Sequence, residues 1–169
     1  MPLLQNSDWK NARLDQRIIT KSTKVCSIGE IRETDPVPLK DHAGITETQV
    51  LVPLALEEAA ATVDGETVPP GFPVMYRIRN YESSNGPLPT QPKDLAKAQE
   101  LSLARVKALV AAALGHKRNT KEDLAALLAG AGGWASLNGK KVVVAFDVTE
   151  SKGTKYQEIS SVSSLPQQA

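Results

Sequence analysis

The order of the secondary-structure signals constrains this chain most. Three strand-like stretches come first, a helical block follows near residues 91–130, and a two-strand hairpin lies at 140–163. Strand, strand, strand, helix, strand, strand is the order of a five-stranded Greek-key β-barrel of the OB type. The fold class expected is therefore mainly β with α, an OB-like barrel with a two-helix unit between strands three and four.

The separate signals are these. Strand one is read over Lys24–Glu33, and residues 35–44, with two prolines and a glycine, form a loop. Strand two covers Thr46–Glu57, and its Pro53 predicts an edge position or a bulge. Asp64-Gly65 and Pro69-Pro70-Gly71 mark turns before strand three, Pro73–Tyr81. Helical spacing of Leu95, Ala98, Leu101, Arg105/Val106, Leu109, Ala112 and Ala113 predicts a helix from Asp94 to Leu114, with Gly115 at its C′ position. A shorter helix begins at Thr120 as N-cap, with Asp123 three residues on, and stops at Gly130. The closing strands are Lys140–Thr149 and Lys155–Ser163, joined by a loop that contains Gly153. Val142, Val144, Phe146 and Val148 share one face and are the core candidates there. Residues 1–22 read as an arm around Trp9, or a short helix over Asp8–Ile19, outside the core. Residues 23–164 read as the domain and 165–169 as a polar tail. Trp134 is expected to plug the helical unit against the barrel.

At 169 residues this is one domain with tails. Its net charge is only +1, but the distribution is uneven: +3 over residues 1–24, −7 over 25–74 and +5 over 75–169. A polyanion should prefer the last part. A single cysteine, Cys26, excludes an intramolecular disulfide and suits a reducing cytoplasm. The first residues lack the apolar stretch of a signal peptide, and no 18-residue apolar run exists, so no membrane partner is expected.

Catalytic and metal signatures are missing. One cysteine and two distant histidines, His42 and His116, do not make a metal site, and both histidines read as solvated. Cys26 reads as a small buried strand residue with no base beside it. Gly130, Gly132 and Gly133 are followed by no Lys-Ser/Thr pair and form no phosphate loop. Glu57 and Glu58, adjacent on a strand, point apart. We expect no enzyme and no cofactor.

Nucleic-acid chemistry is better represented. Alternation in strand three puts Met75, Arg77, Arg79 and Tyr81 on one face, opposite a core face of Val74, Tyr76 and Ile78. Lys140 and Lys141 start the fourth strand, and Lys152, Lys155 and Tyr156 cluster at the last hairpin. Arginines and lysines on phosphates, with Tyr81 and Tyr156 stacked on bases, suit single-stranded DNA; OB-type barrels commonly bind such strands. The plainer reading is a solvated sheet face with lysines guarding its edges.

Residues 66–163 resemble an uncharacterised phage and prophage family often labelled single-stranded DNA-binding. The resemblance lies in PVMYRIRNY, a helix ending in VAAALG, LNGKKVVVAFDV and KGTKYQEISSV, with Leu137, Gly139, Lys140, Gly153 and Ile159 at the matching positions. It implies a replication or recombination accessory that coats single strands in the host-cell cytoplasm, alongside phage replication proteins. The acidic block 25–74 and the ending SSLPQQA, without an acidic tail, depart from such proteins. Two alternatives therefore stay open. One is a phage structural or assembly protein that forms homo-oligomers through the Trp9 arm and strand edges. The other is an inhibitor that mimics DNA through residues 30–66.

Overall fold

The computed structural model describes residues 17–166. Among the described residues there are nine strands: β1 Ser22–Ile28, β2 Arg32–Glu33, β3 Val37–Pro38, β4 Ile45–Leu56, β5 Ala60–Ala61, β6 Thr67–Val68, β7 Pro73–Ser83, β8 Lys141–Ser151 and β9 Thr154–Ser163. Two helices, α1 (Leu95–Ala113) and α2 (Leu124–Ala131), lie between β7 and β8, followed by a 3-10 turn at Gly133–Leu137. The architecture is mainly β, with one large antiparallel sheet and two helices, as the element order predicts. The expected helical unit is inserted where it was read.

Seven strands form the main sheet, all paired antiparallel. β7 pairs along nearly all of β4; β4 pairs on its other side with β3, β2 and the end of β1; β1 pairs with β8, and β8 with β9. The expected closed five-stranded barrel is not what is seen: no ladder joins β7 to β9, and the sheet is open between them. Strand one is not continuous either. Ile28 faces Leu54 but Arg32 faces Leu51, so one extra residue is taken up at Gly29–Ile31. The loop read over 35–44 contains β3, and the turn region before β7 contains the small β5–β6 hairpin.

Pro53 explains the interruption. The Gly29 amide donates to the Pro53 carbonyl at 2.7 Å. In an antiparallel pair the return bond would need a Pro53 N–H, which proline lacks. The ladder stops there, and a Cβ on Gly29 would meet the Pro53 Cβ at 3.2 Å, a contact tight enough that the proline would have to shift by a few tenths of an ångström. β4 is thus an internal strand, not an edge, and the bulge lies in its partner.

The core is built as the alternations dictate. Val142, Val144 and Phe146 of β8 are buried, as are Tyr76 and Ile78 of β7, with Val50, Val52, Leu54 and Leu56 of β4; Val148 is only half-buried. Burial of a side chain of this size stabilises by about 1.5–3 kcal/mol. Ile18 and Ile19, read as part of the arm, are also buried. Their backbone is fixed to the β5–β6 hairpin, where Thr20 N–H donates to Ala61 at 3.0 Å and Val63 N–H to Ile18 at 2.8 Å. The proposed helix around Trp9 lies outside the described residues, and residues 17–19 are not helical.

α1 starts where Asp94 accepts from the Lys97 amide at 3.0 Å. It ends in a Schellman motif, with Gly115 N–H on Ala112 and His116 N–H on Ala111. Its buried face differs from the expected stripe: Ser102 and the whole run Ala108–Ala113 are buried, whereas Leu101 is exposed. The second helix begins later than expected, capped by Asp123 through the Ala126 amide, while Thr120 caps only the preceding turn, and it runs to Ala131 with left-handed Gly132 as C-cap. The last hairpin is tighter than expected. β8 and β9 extend to Ser151 and Thr154, leaving a two-residue turn in which Lys152 and Gly153 both have positive φ.

Candidate nucleic-acid interface

β7 and β9, the two open edges, face each other across a cleft of about 590 Å³. Its apolar floor comes from Phe72, Val74 and Ile159. Arg77 and Met75 enter from β7, Tyr156 and Glu158 from β9, Arg105 from α1, and Arg17 from the segment before β1. Tyr76 lies on the buried side of this wall. Burial pushes its hydroxyl above the usual tyrosine range, while the positive charges of Arg105 and Arg118 pull it back.

A second depression, of about 200 Å³, continues from the first along β7. Arg77 and Arg105 line both, and Arg79, Tyr81, Ala98, Leu101 and Ser102 complete the second. α1 is fastened to the β7 edge here. Gln99 accepts from the Tyr81 amide at 2.7 Å and donates to Asn80 at 2.6 Å. Tyr156, Arg77, Arg105, Arg79 and Tyr81 therefore line one surface track.

The expected site residues divide on this geometry. Arg77, Arg79, Tyr81 and Tyr156 are brought together. Lys152 and Lys155 sit on the hairpin tip just before Tyr156, at the end of the strand that walls the cleft. Lys140 and Lys141 are not part of the group. They stand at the other end of β8, an 11-residue strand of about 35 Å. Lys141 reaches Glu57 at 3.6 Å.

The acidic block also accounts for itself. Besides Lys141–Glu57, Arg79 pairs with Glu47 at 3.4 Å, Lys24 with Glu58 at 3.5 Å and Arg17 with Glu66 at 3.8 Å. Glu47 lies opposite Tyr81 across the β4–β7 ladder, one step from Arg79. Each pair has at least one exposed partner, and such surface pairs contribute little stability, about 0–1 kcal/mol each. Two of them set an acid beside a cation of the cleft or the track, Glu66 beside Arg17 and Glu47 beside Arg79.

Sequence reasoning missed Arg105 and Arg17. Arg105 was assigned, with Val106, to the buried stripe of a helix, yet it is exposed; a charge interrupting an apolar stripe was the available signal. Arg17 was assigned to the arm. His42, expected in solvent, is buried with Nε2 unpartnered. Cys26 is a buried strand residue as expected. Trp134 is half-buried against the core, and its indole N–H donates to Glu33 at 3.3 Å. Among the described residues no group of three His, Cys, Asp or Glu side chains could hold a metal ion, and no helix is long and apolar enough to cross a membrane.

No protein-family model and no curated protein matches the chain.

Proposed function

We propose that the protein binds single-stranded DNA without sequence preference along the track that starts in the β7–β9 cleft. The observation that carries this reading is the meeting of Arg77 and Tyr156, from strands far apart in sequence, in one cleft with Arg17 and Arg105. Cations beside exposed aromatic rings are what a flexible strand needs. The guanidinium groups take phosphates, and the rings take bases at about 1–3 kcal/mol per stack. Tyr156 is 47% exposed and offers a face.

Strand order supports the OB-type expectation. Taking β1–β3 as one bent strand, the sequence β7-β4-β1-β8-β9 is that of an OB barrel opened between its third and fifth strands. Duplex DNA suits this chemistry less, because stacking on the aromatic rings needs unpaired bases. A role as a phage replication or recombination accessory follows from the resemblance and rests on this binding.

The test is fluorescence anisotropy of a labelled oligo-dT of about 30 nucleotides at two salt concentrations, with duplex as competitor. Expected is binding that weakens with salt and a slope that falls by about one on Arg77→Ala or Arg105→Ala. Lys141→Ala should change little. Failure to bind at micromolar protein overturns the reading. The open edges of β7 and β9 favour one other function, self-assembly by strand pairing. A salt-sensitive oligomer without DNA binding would select it.

A further inference from the structure

A second surface differs from the track in chemistry. α1 and α2 enclose a groove of about 440 Å³, and a neighbouring hollow of about 330 Å³ runs from α1 to β4 and β7. Leu103, Val106 and Trp134 line both, which makes the two continuous. Val110, Leu124 and Leu128 extend the apolar floor under α2. Leu103, on α1, is 58% exposed.

The rim carries charge of one dominant sign. Four carboxylates line the continuous groove: Glu122 and Asp123 at one end, Glu33 and Glu82 at the other. Two cations oppose them, Lys107 and Arg79, and Arg79 is already paired with Glu47 at 3.4 Å. Such a rim repels a nucleic-acid backbone and attracts cationic side chains.

We infer that this groove docks a basic amphipathic helix of a partner protein, with apolar side chains one helical turn apart seated on Leu103, Val106 and Trp134 and Lys or Arg residues over the carboxylates. A helix laid into an apolar groove buries anchors at i, i+3, i+4 and i+7 spacing. Charge around the groove selects basic over acidic partners. The inference does not depend on DNA binding, because the groove shares only Arg79 and Ser102 with the track.

The probe is a labelled helical peptide of about 18 residues, five turns, made of leucine at that spacing and lysine elsewhere. A matched peptide carries glutamate in place of lysine. Titrated against the full chain by anisotropy, the lysine peptide should bind at least about tenfold more tightly than the glutamate one. Leu103→Asn should weaken it about tenfold, and Glu33→Gln with Glu122→Gln should reduce the preference for lysine, both with oligo-dT behaviour unchanged. Equal binding of the two peptides, or indifference to Leu103→Asn, overturns the proposal. So does a concentration-dependent dimer that Leu103→Asn abolishes while the lysine peptide stays unbound, since a second copy is then the occupant.

Discussion

Gln157 of β9 grips the backbone of Ile19: its Oε1 accepts the Ile19 amide at 2.7 Å and its Nε2 donates to the Ile19 carbonyl at 3.2 Å. The same Nε2 reaches the Asp147 carbonyl at 3.0 Å. One amide thus does for the segment ahead of β1 what a neighbouring strand would do. Gln157→Leu leaves these groups unpartnered beside a fully buried Ile19. The expected loss is about 1–3 kcal/mol, read as a thermal midpoint lower by about 3–10 °C. An unchanged midpoint would mean that water replaces the side chain.

Arg79 and Glu47 lead to a prediction about affinity. With the pair intact, Glu47 sits 3.4 Å from the guanidinium, and Gln49 leans on the same carboxylate oxygen at 3.4 Å. Glu47→Gln removes a negative charge from the track. Oligo-dT affinity should rise about two- to fivefold at low salt, and the gain should shrink as salt is added. An affinity that does not move would place Arg79 off the DNA path.

Cys26 sets a pH dependence. Burial first, then the carboxylates of Glu57 and Glu58, push its thiol up from 9.0 to about 12. Unfolded chains release this proton near pH 9 and the folded chain keeps it. Its contribution to stability is therefore complete below pH 9 and is lost as pH rises toward 12. Urea titrations should give a stability falling by up to about 1.4 kcal/mol per pH unit from this group, with a shallower fall in Cys26→Ala. Parallel slopes in the two proteins would remove Cys26 as the cause.

The hairpin turn offers a stabilising change. Lys152 has φ of 51° before Gly153 at 77°, a pair of positive values that favours Asn-Gly. Lys152→Asn should raise stability by about 0.5–1 kcal/mol. A loss would show that the lysine makes a contact that its exposed position conceals.

What could be read in advance follows from how local each cause is. Val142, Val144 and Phe146 reveal themselves because strand alternation needs no knowledge of the partner. Gly115 does so because a C-terminal cap is set by the helix itself; Asp94, read as the first helical residue, is instead its N-cap. The buried face of α1 was not legible. Alanines and leucines occur around much of its circumference, so several stripes fit the spacing, and the sheet beneath selects among them; Leu101 lost to Ser102. The position of Lys152 was hidden because turn chemistry points to asparagine or glycine there. The cleft could not be foreseen, since it forms where β7, β9 and α1 converge across long stretches of chain. Arg77 and Tyr156 were visible as chemistry but not as neighbours, and Lys140 and Lys141 looked equivalent to them until β8 put its full length in between.

Pro53 carries one more consequence. A slide of β1 by one residue along β4 would turn every side chain to the wrong face, but a slide by two would leave the pattern of faces intact. Sequence polarity alone does not forbid the second error. Pro53 does: it has no amide to give, and in the native register that deficit falls at the half-exposed end of the ladder beside Gly29. After a two-residue slide toward the middle of β1, the deficit would instead strand a carbonyl inside the sheet, at about 1–3 kcal/mol. The proline acts as an index mark that tells the first strand where along its neighbour to stop.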